Sequence, residues 1–190
     1  MARREALQEL QNRIAGMLQK AGSDKGVTAS WLGVRIGARR VLLPLQQSGE
    51  IQSASDIQSI AYAKPWFLGV VALRGNIVGV VNIASFLDAA PVDPVLRAQP
   101  EQPQARRLVV LNEALGLNVA LRVEALEGLR GRDAFLRSGP PASSAPAYFG
   151  SVFTDPQGCI WHEVNLQALA QTPEFLDIAV HPDAGALAAA

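Results

Sequence analysis

Residues 65–83 read Pro-Trp-Phe-Leu-Gly-Val-Val-Ala-Leu-Arg-Gly-Asn-Ile-Val-Gly-Val-Val-Asn-Ile, two strongly apolar runs around one short polar break, Arg74-Gly75-Asn76. β-Branched residues dominate both runs, and a glycine-containing break between such runs is the signature of a β-hairpin. The pattern specifies a buried hairpin with a single charged side chain at its tip. Gly75 supplies the positive φ that a tight turn needs. Arginine at such a tip is ordinarily a solubilising residue, yet arginine is also enriched at protein–protein hot spots.

A weaker copy of the pattern returns later. Tyr148–Phe153 and Gly158–Val164 flank the turn Thr154-Asp155-Pro156-Gln157. The two halves of the chain share one order: strand, turn, strand, irregular stretch, aromatic-Gly, strand, turn, strand, Asn, short helix. Gly69 corresponds to Gly150, Asn82 to Asn165, and Trp66-Phe67 to Tyr148-Phe149. The second copy lacks the Arg-Gly at its turn. Such a twofold repeat of short strands favours small barrels. The expected architecture is therefore mostly β, two packed five-stranded barrels over about 30–88 and 106–171.

The remaining elements follow from period and punctuation. Leu7, Leu10, Ile14, Met17 and Leu18 recur at spacings of three and four, so residues 4–20 are expected as an amphipathic helix that ends near Gly22 and packs on its own domain. Trp31–Ile36 and Val41–Leu45 read as a hairpin joined by Gly37-Ala38-Arg39-Arg40, with Pro44 marking an edge or a bulge. Glu50-Ile51 starts a further strand, residues 56–63 are ambiguous, and residues 84–88 form one helical turn. Residues 89–105, with Pro91, Pro94, Pro100 and Pro103, read as a linker. Strands follow at 107–111, 116–121 and 123–129, then a loop at 138–147. Short helices are expected at 165–170, closing the second half, and at 173–178, within a C-terminal stretch, 172–190, that ends in an alanine-rich tail.

Function classes narrow quickly. The 190 residues carry 17 basic and 17 acidic side chains, so no electrostatic footprint for nucleic acid is present. Cys159 is the single cysteine, which excludes an internal disulfide and a thiolate metal cluster. A cytoplasmic location is expected, since the basic start runs into Arg13 before any signal-peptide core and no apolar run is long enough to span a membrane. No phosphate loop, nucleophile elbow or zinc motif occurs. Cys159 and His162 are three apart on an expected strand and so point to opposite faces. Asp88, Glu124, Glu127 and Glu163 show no acid–base pairing. Trp31, Trp66, Phe67, Phe86, Tyr148, Phe149 and Trp161 suggest either core packing or, less simply, a base-stacking platform on a nucleic-acid-binding barrel.

At the hairpin the chain resembles the CheW family of chemotaxis coupling proteins. Residues 65–78 are similar to the family stretch aromatic-x-x-Gly-Val-x-Asn-Leu-Arg-Gly-x-Ile-x-Pro. The likeness extends over residues 30–171 by order of elements, and the extra N-terminal helix and divergent second half resemble the PilI type of type IV pilus twitching systems. The resemblance implies two SH3-like five-stranded barrels, no catalysis and no cofactor. It also implies coupling of a methyl-accepting chemoreceptor's cytoplasmic tip to the regulatory domain of a CheA-type histidine kinase, at membrane receptor arrays, in twitching or alternatively in flagellar swimming. Gly69, Leu73, Arg74 and Gly75 match the motif, and with Asn76 and Ile77 they are the expected partner-facing residues. Ala72, Gly79 and Asn82 depart from the family's Asn, Pro and Asp. In the second half Asn165 stands where an acid is common, and Glu124 sits near a usual Val-Asp.

Overall fold

The computed structural model describes residues 29–53, 56–89 and 107–180. The expected helix at 4–20, most of the Pro-rich segment and the tail beyond 180 lie outside these residues. The described residues form eleven strands: β1 Trp31–Ile36, β2 Arg39–Pro44, β3 Ser48–Ser53, β4 Phe67–Leu73, β5 Asn76–Asn82, β6 Arg107–Leu111, β7 Val119–Val123, β8 Ala125–Arg130, β9 Arg137–Gly139, β10 Phe149–Thr154 and β11 Ile160–Val164. Among the described residues three short α-helices accompany them, α1 Ile83–Ala89, α2 Leu166–Ala170 and α3 Pro173–Leu176.

The strands make two sheets, β8-β1-β2-β11-β10-β9 and β3-β6-β7-β5-β4. This pairing corrects the expectation that residues 30–88 and 106–171 each build their own barrel. The hairpin β1–β2 lies between β8 and β11, and β11 runs parallel to β2. The equivalent hairpin β6–β7 lies between β3 and β5, and β5 runs parallel to β7. Each repeat therefore keeps its first hairpin and gives its third strand and closing hairpin to the other sheet. The repeat is present, but its two copies are exchanged. Hydrogen bonding closes neither sheet into a ring among the described residues.

Strand alternation explains the layering. Leu32, Val34 and Ile36 of β1 and Val41 and Leu43 of β2 face the second sheet, where they meet Val81, Val109, Leu121 and Val123 in one core. The alternate residues face outward into two smaller clusters. One is aromatic, Trp31, Leu42, Phe153 and Trp161. The other is aliphatic, Val71, Val78, Val80, Leu108 and Ala120. Parallel packing of β2 on β11 also corrects the reading of Pro44. It sits at the last position of a central strand, beyond the Arg40–Leu42 stretch that pairs with β11, so its missing N–H breaks no ladder there.

Candidate functional site

β4 and β5 pair from Phe67↔Val81 to Leu73↔Asn76, leaving Arg74 and Gly75 as a two-residue loop. Both have positive φ, 49° and 82°, the mark of a type I′ turn, whose twist matches that of the flanking strands. Glycine adopts this conformation freely. Arginine does not, so the tip holds one strained, non-glycine residue. Its side chain is 76% exposed and its Nη2 meets the Glu50 carboxylate of β3 as a close ion pair without aligned hydrogen-bond geometry. Glu50 restrains the guanidinium yet leaves most of it in solvent. Beside the pair a cavity of about 340 Å³ is lined by Glu50, Leu73, Arg74, Asn76, Asn112 and Asn118.

The expected site residues divide into two groups. Arg74, Gly75, Asn76 and Ile77 share the exposed tip, with Ile77 70% exposed. Leu73 is half-buried and packs on the aliphatic cluster. Gly69 is placed differently from its expected partner-facing position. It is buried, with φ 132°, at the register shift between Phe67 and β5. A Cβ there would stand 1.9 Å from the Gln58 carbonyl oxygen, because Gln58 bridges to Val70 across that spot. Gly69 serves the fold by letting two backbones approach.

The departures from the motif are also structural. Gly79 faces the Phe67 ring, 3.1 Å from where its Cβ would be. Asn82 opens α1, its amide N–H donating to the Trp66 carbonyl at 2.8 Å and its Nδ2 to Ser85 Oγ at 2.7 Å. Asn165 does the same for α2. Its N–H donates to the Tyr148 carbonyl at 2.8 Å, and its Oδ1 accepts from Ala168 N at 3.0 Å.

At the second hairpin the chemistry turns inward. Asp155 is only 6% exposed; its Oδ1 accepts from the amides of Gln157 and Cys159, and its Oδ2 from Trp161 Nε1 at 2.9 Å. The Trp161 hydrogen bond, with the two amides, holds the carboxyl below its ordinary pKa. This turn is closed on itself, whereas Arg74 points out.

Other polar groups are likewise engaged in holding the fold. Glu124 accepts from Gly37 N, Glu163 from Trp31 Nε1 and Ser151 N, and Asp88 pairs with Arg39 at 3.0 Å. Glu127 lies 3.9 Å from Arg35. Cys159 packs on the aromatic cluster, while His162 is half-buried beside the Phe149 ring on the other face of β11. Burial first, and then the Arg39 charge, push the His162 pKa down. Trp31, Trp66, Phe67, Phe86, Tyr148, Phe149 and Trp161 are buried or half-buried and form core rather than a stacking platform, while Tyr62 stands exposed by itself. Among the described residues no group of three potential metal ligands converges, and no helix is long and apolar enough to cross a membrane.

The chain belongs to the family of CheW-like domains. The family model, described as CheW-like domain, matches residues 30–174. Among individual proteins, the chain is 30% identical over 156 residues to Protein PilI of Pseudomonas aeruginosa, covering 80% of this chain and 82% of that one. Its fold is similar to the crystal structure of the scaffolding protein TtCheW from Thermoanaerobacter tengcongensis, with a TM-score of 0.57 and 13% identity over 72% of this chain and 88% of the other.

Proposed function

We propose that this chain is a non-enzymatic adaptor that couples chemoreceptors to a CheA-type histidine kinase, in a chemosensory system controlling type IV pilus twitching. The observation that carries the reading is Arg74: a strained, outward-pointing arginine, steadied by Glu50 and flanked by exposed Ile77, present in one repeat and replaced in the other by a self-satisfied Asp155 turn. Strain that persists at an exposed position is a pointer to function. The tip offers a cation, an apolar neighbour and a small cavity, a set suited to gripping a protein surface. Membership of the CheW family and the likeness to PilI support the choice of partners. Binding is the mechanism: signal passes as a difference in affinity between partner states. The chain would work in the cytoplasm at receptor arrays.

Two substitutions test this. Arg74→Glu reverses the charge and weakens binding of the kinase regulatory domain or the receptor tip by about thirtyfold or more, the loss typical of a hot spot. Arg74→Asn suits the positive-φ turn better, so it raises or preserves thermal stability while still weakening binding. Titration calorimetry with each purified partner reads both. Unchanged affinity in both variants rejects the proposal.

A further inference from the structure

A second concavity lies far from the hairpin tip in composition. It measures about 710 Å³, with Trp66, Phe86 and Tyr148 as its floor and Ala168 and Pro173 on its wall. Two charged residues, Lys64 and Glu174, also line it. The Lys64 ammonium is held by Asp177 at 2.9 Å, so the acid is the rim charge left to act on the groove. Its influence reaches the floor: burial and then the Glu174 charge, against a smaller opposing pull from Arg39, hold the Tyr148 phenol above its ordinary pKa. Phe175 stacks on Trp66 with ring centroids 6.0 Å apart, backing the floor with a further aromatic ring. An apolar, aromatic-floored groove with an acidic rim is shaped for an amphipathic helix carrying cations beside its apolar stripe.

We propose that this groove seats the chain's own N-terminal segment, residues 4–20, laid in by Leu7, Leu10, Ile14, Met17 and Leu18. Three observations choose this occupant. The segment carries such a stripe, and a helix of that length does not persist without a surface to dock on. Its charge is complementary, since residues 1–22 carry Arg3, Arg4, Arg13 and Lys20 against Glu5 and Glu9. Its tether also reaches. The chain is first held at Ser30, whose carbonyl accepts from the Leu45 amide; the Gln47 side chain accepts from the first turn of α2, and the far end of α2 borders the groove. Residues 19–29 separate the stripe from Ser30, and that stretch spans up to about 36–40 Å when extended. The proposal does not depend on the coupling role or on Arg74.

The test uses the full-length chain with Cys159→Ser, so that introduced cysteines are the only thiols. Ile14→Cys, on the stripe, is paired with Gln171→Cys at the groove, and Asn12→Cys, opposite the stripe, with the same partner. Under mild oxidation the Ile14 pair is expected to close an intramolecular disulfide several-fold faster than the Asn12 pair. A second readout is independent of cysteine: Ile14→Asp in the natural sequence raises binding of a hydrophobic dye. Equal closure rates, disulfides formed only between molecules, or dye binding unchanged by Ile14→Asp would each overturn the proposal.

Discussion

At the scale of single residues, Gly69 and Arg74 share one motif but not one part: the arginine is exposed and the glycine is buried. Gly69 sits in the family motif and reads as a contact, but the structure uses its missing side chain to pass the Gln58 backbone. Gly69→Ala forces that crossing apart and should cost about 3 kcal/mol or more, read as a lowered urea midpoint. A variant as stable as the parent would show that residues 56–59 can retreat without loss. Arg74 was legible as the odd charge of an apolar hairpin, while its left-handed backbone was not. Asn or Gly is the usual signal for that position, and a long cationic side chain gives none. Asp155 is legible only as a turn residue, and no sequence pattern announces that its carboxylate accepts from the indole of Trp161, on the strand beyond the turn. Because its folded pKa is lowered, its contribution to stability is present above the unfolded value and lost as pH falls through the folded one. Between about pH 5 and pH 2 the parent should therefore lose more stability than Asp155→Asn, measured as denaturant midpoints across pH. Parallel slopes for the two proteins would remove Asp155 from the acid response.

At the scale of elements, strands and turns were readable because alternation and glycine-bearing breaks are local signals. The hairpins β1–β2, β4–β5 and β10–β11 fall where period and punctuation place them. The segment 56–63 was ambiguous for a physical reason: it contributes isolated bridges, Gln58 to Val70 and Ala63 to Ala179, rather than a ladder with a period of its own. The repeat landmarks proved to be joints. Asn82 and Asn165 each bond back to the aromatic residue that opens their hairpin and forward into a helix whose first residue, Ile83 or Leu166, is fully buried. One polar residue thus ends a strand, starts a helix and fixes its apolar face. Asn165→Ala should destabilise the protein by about 1 kcal/mol, with a matching drop in thermal midpoint. No drop would mean that Gln47, which also bonds the α2 amides, suffices as a cap.

At the scale of the whole molecule, which strand lies beside which was the part that sequence did not disclose. Periodicity tells a strand which face to bury, yet nothing in β2 names β11, rather than a strand of its own repeat, as its parallel neighbour. The exchange has a direct test. Chains 1–97 and 98–190 should each fail to fold cooperatively alone and should recover a shared fold when mixed or co-expressed, seen by circular dichroism and gel filtration. A first fragment that melts cooperatively alone would contradict the pairing. The same exchange bears on how the chain leaves the ribosome. β1 and β2 emerge early but find β8 and β11 only after the second half has been made. At bacterial and eukaryotic synthesis rates the stretch from residue 89 to 164 takes roughly 4–15 s, during which Val34, Val41, Val81 and Ile83 lack the part of their shared core that Val109, Leu121, Val123 and Val164 supply. Nascent-chain chaperones therefore have a defined client here, the unpaired first half, and the demand for them should end only when β11 is released.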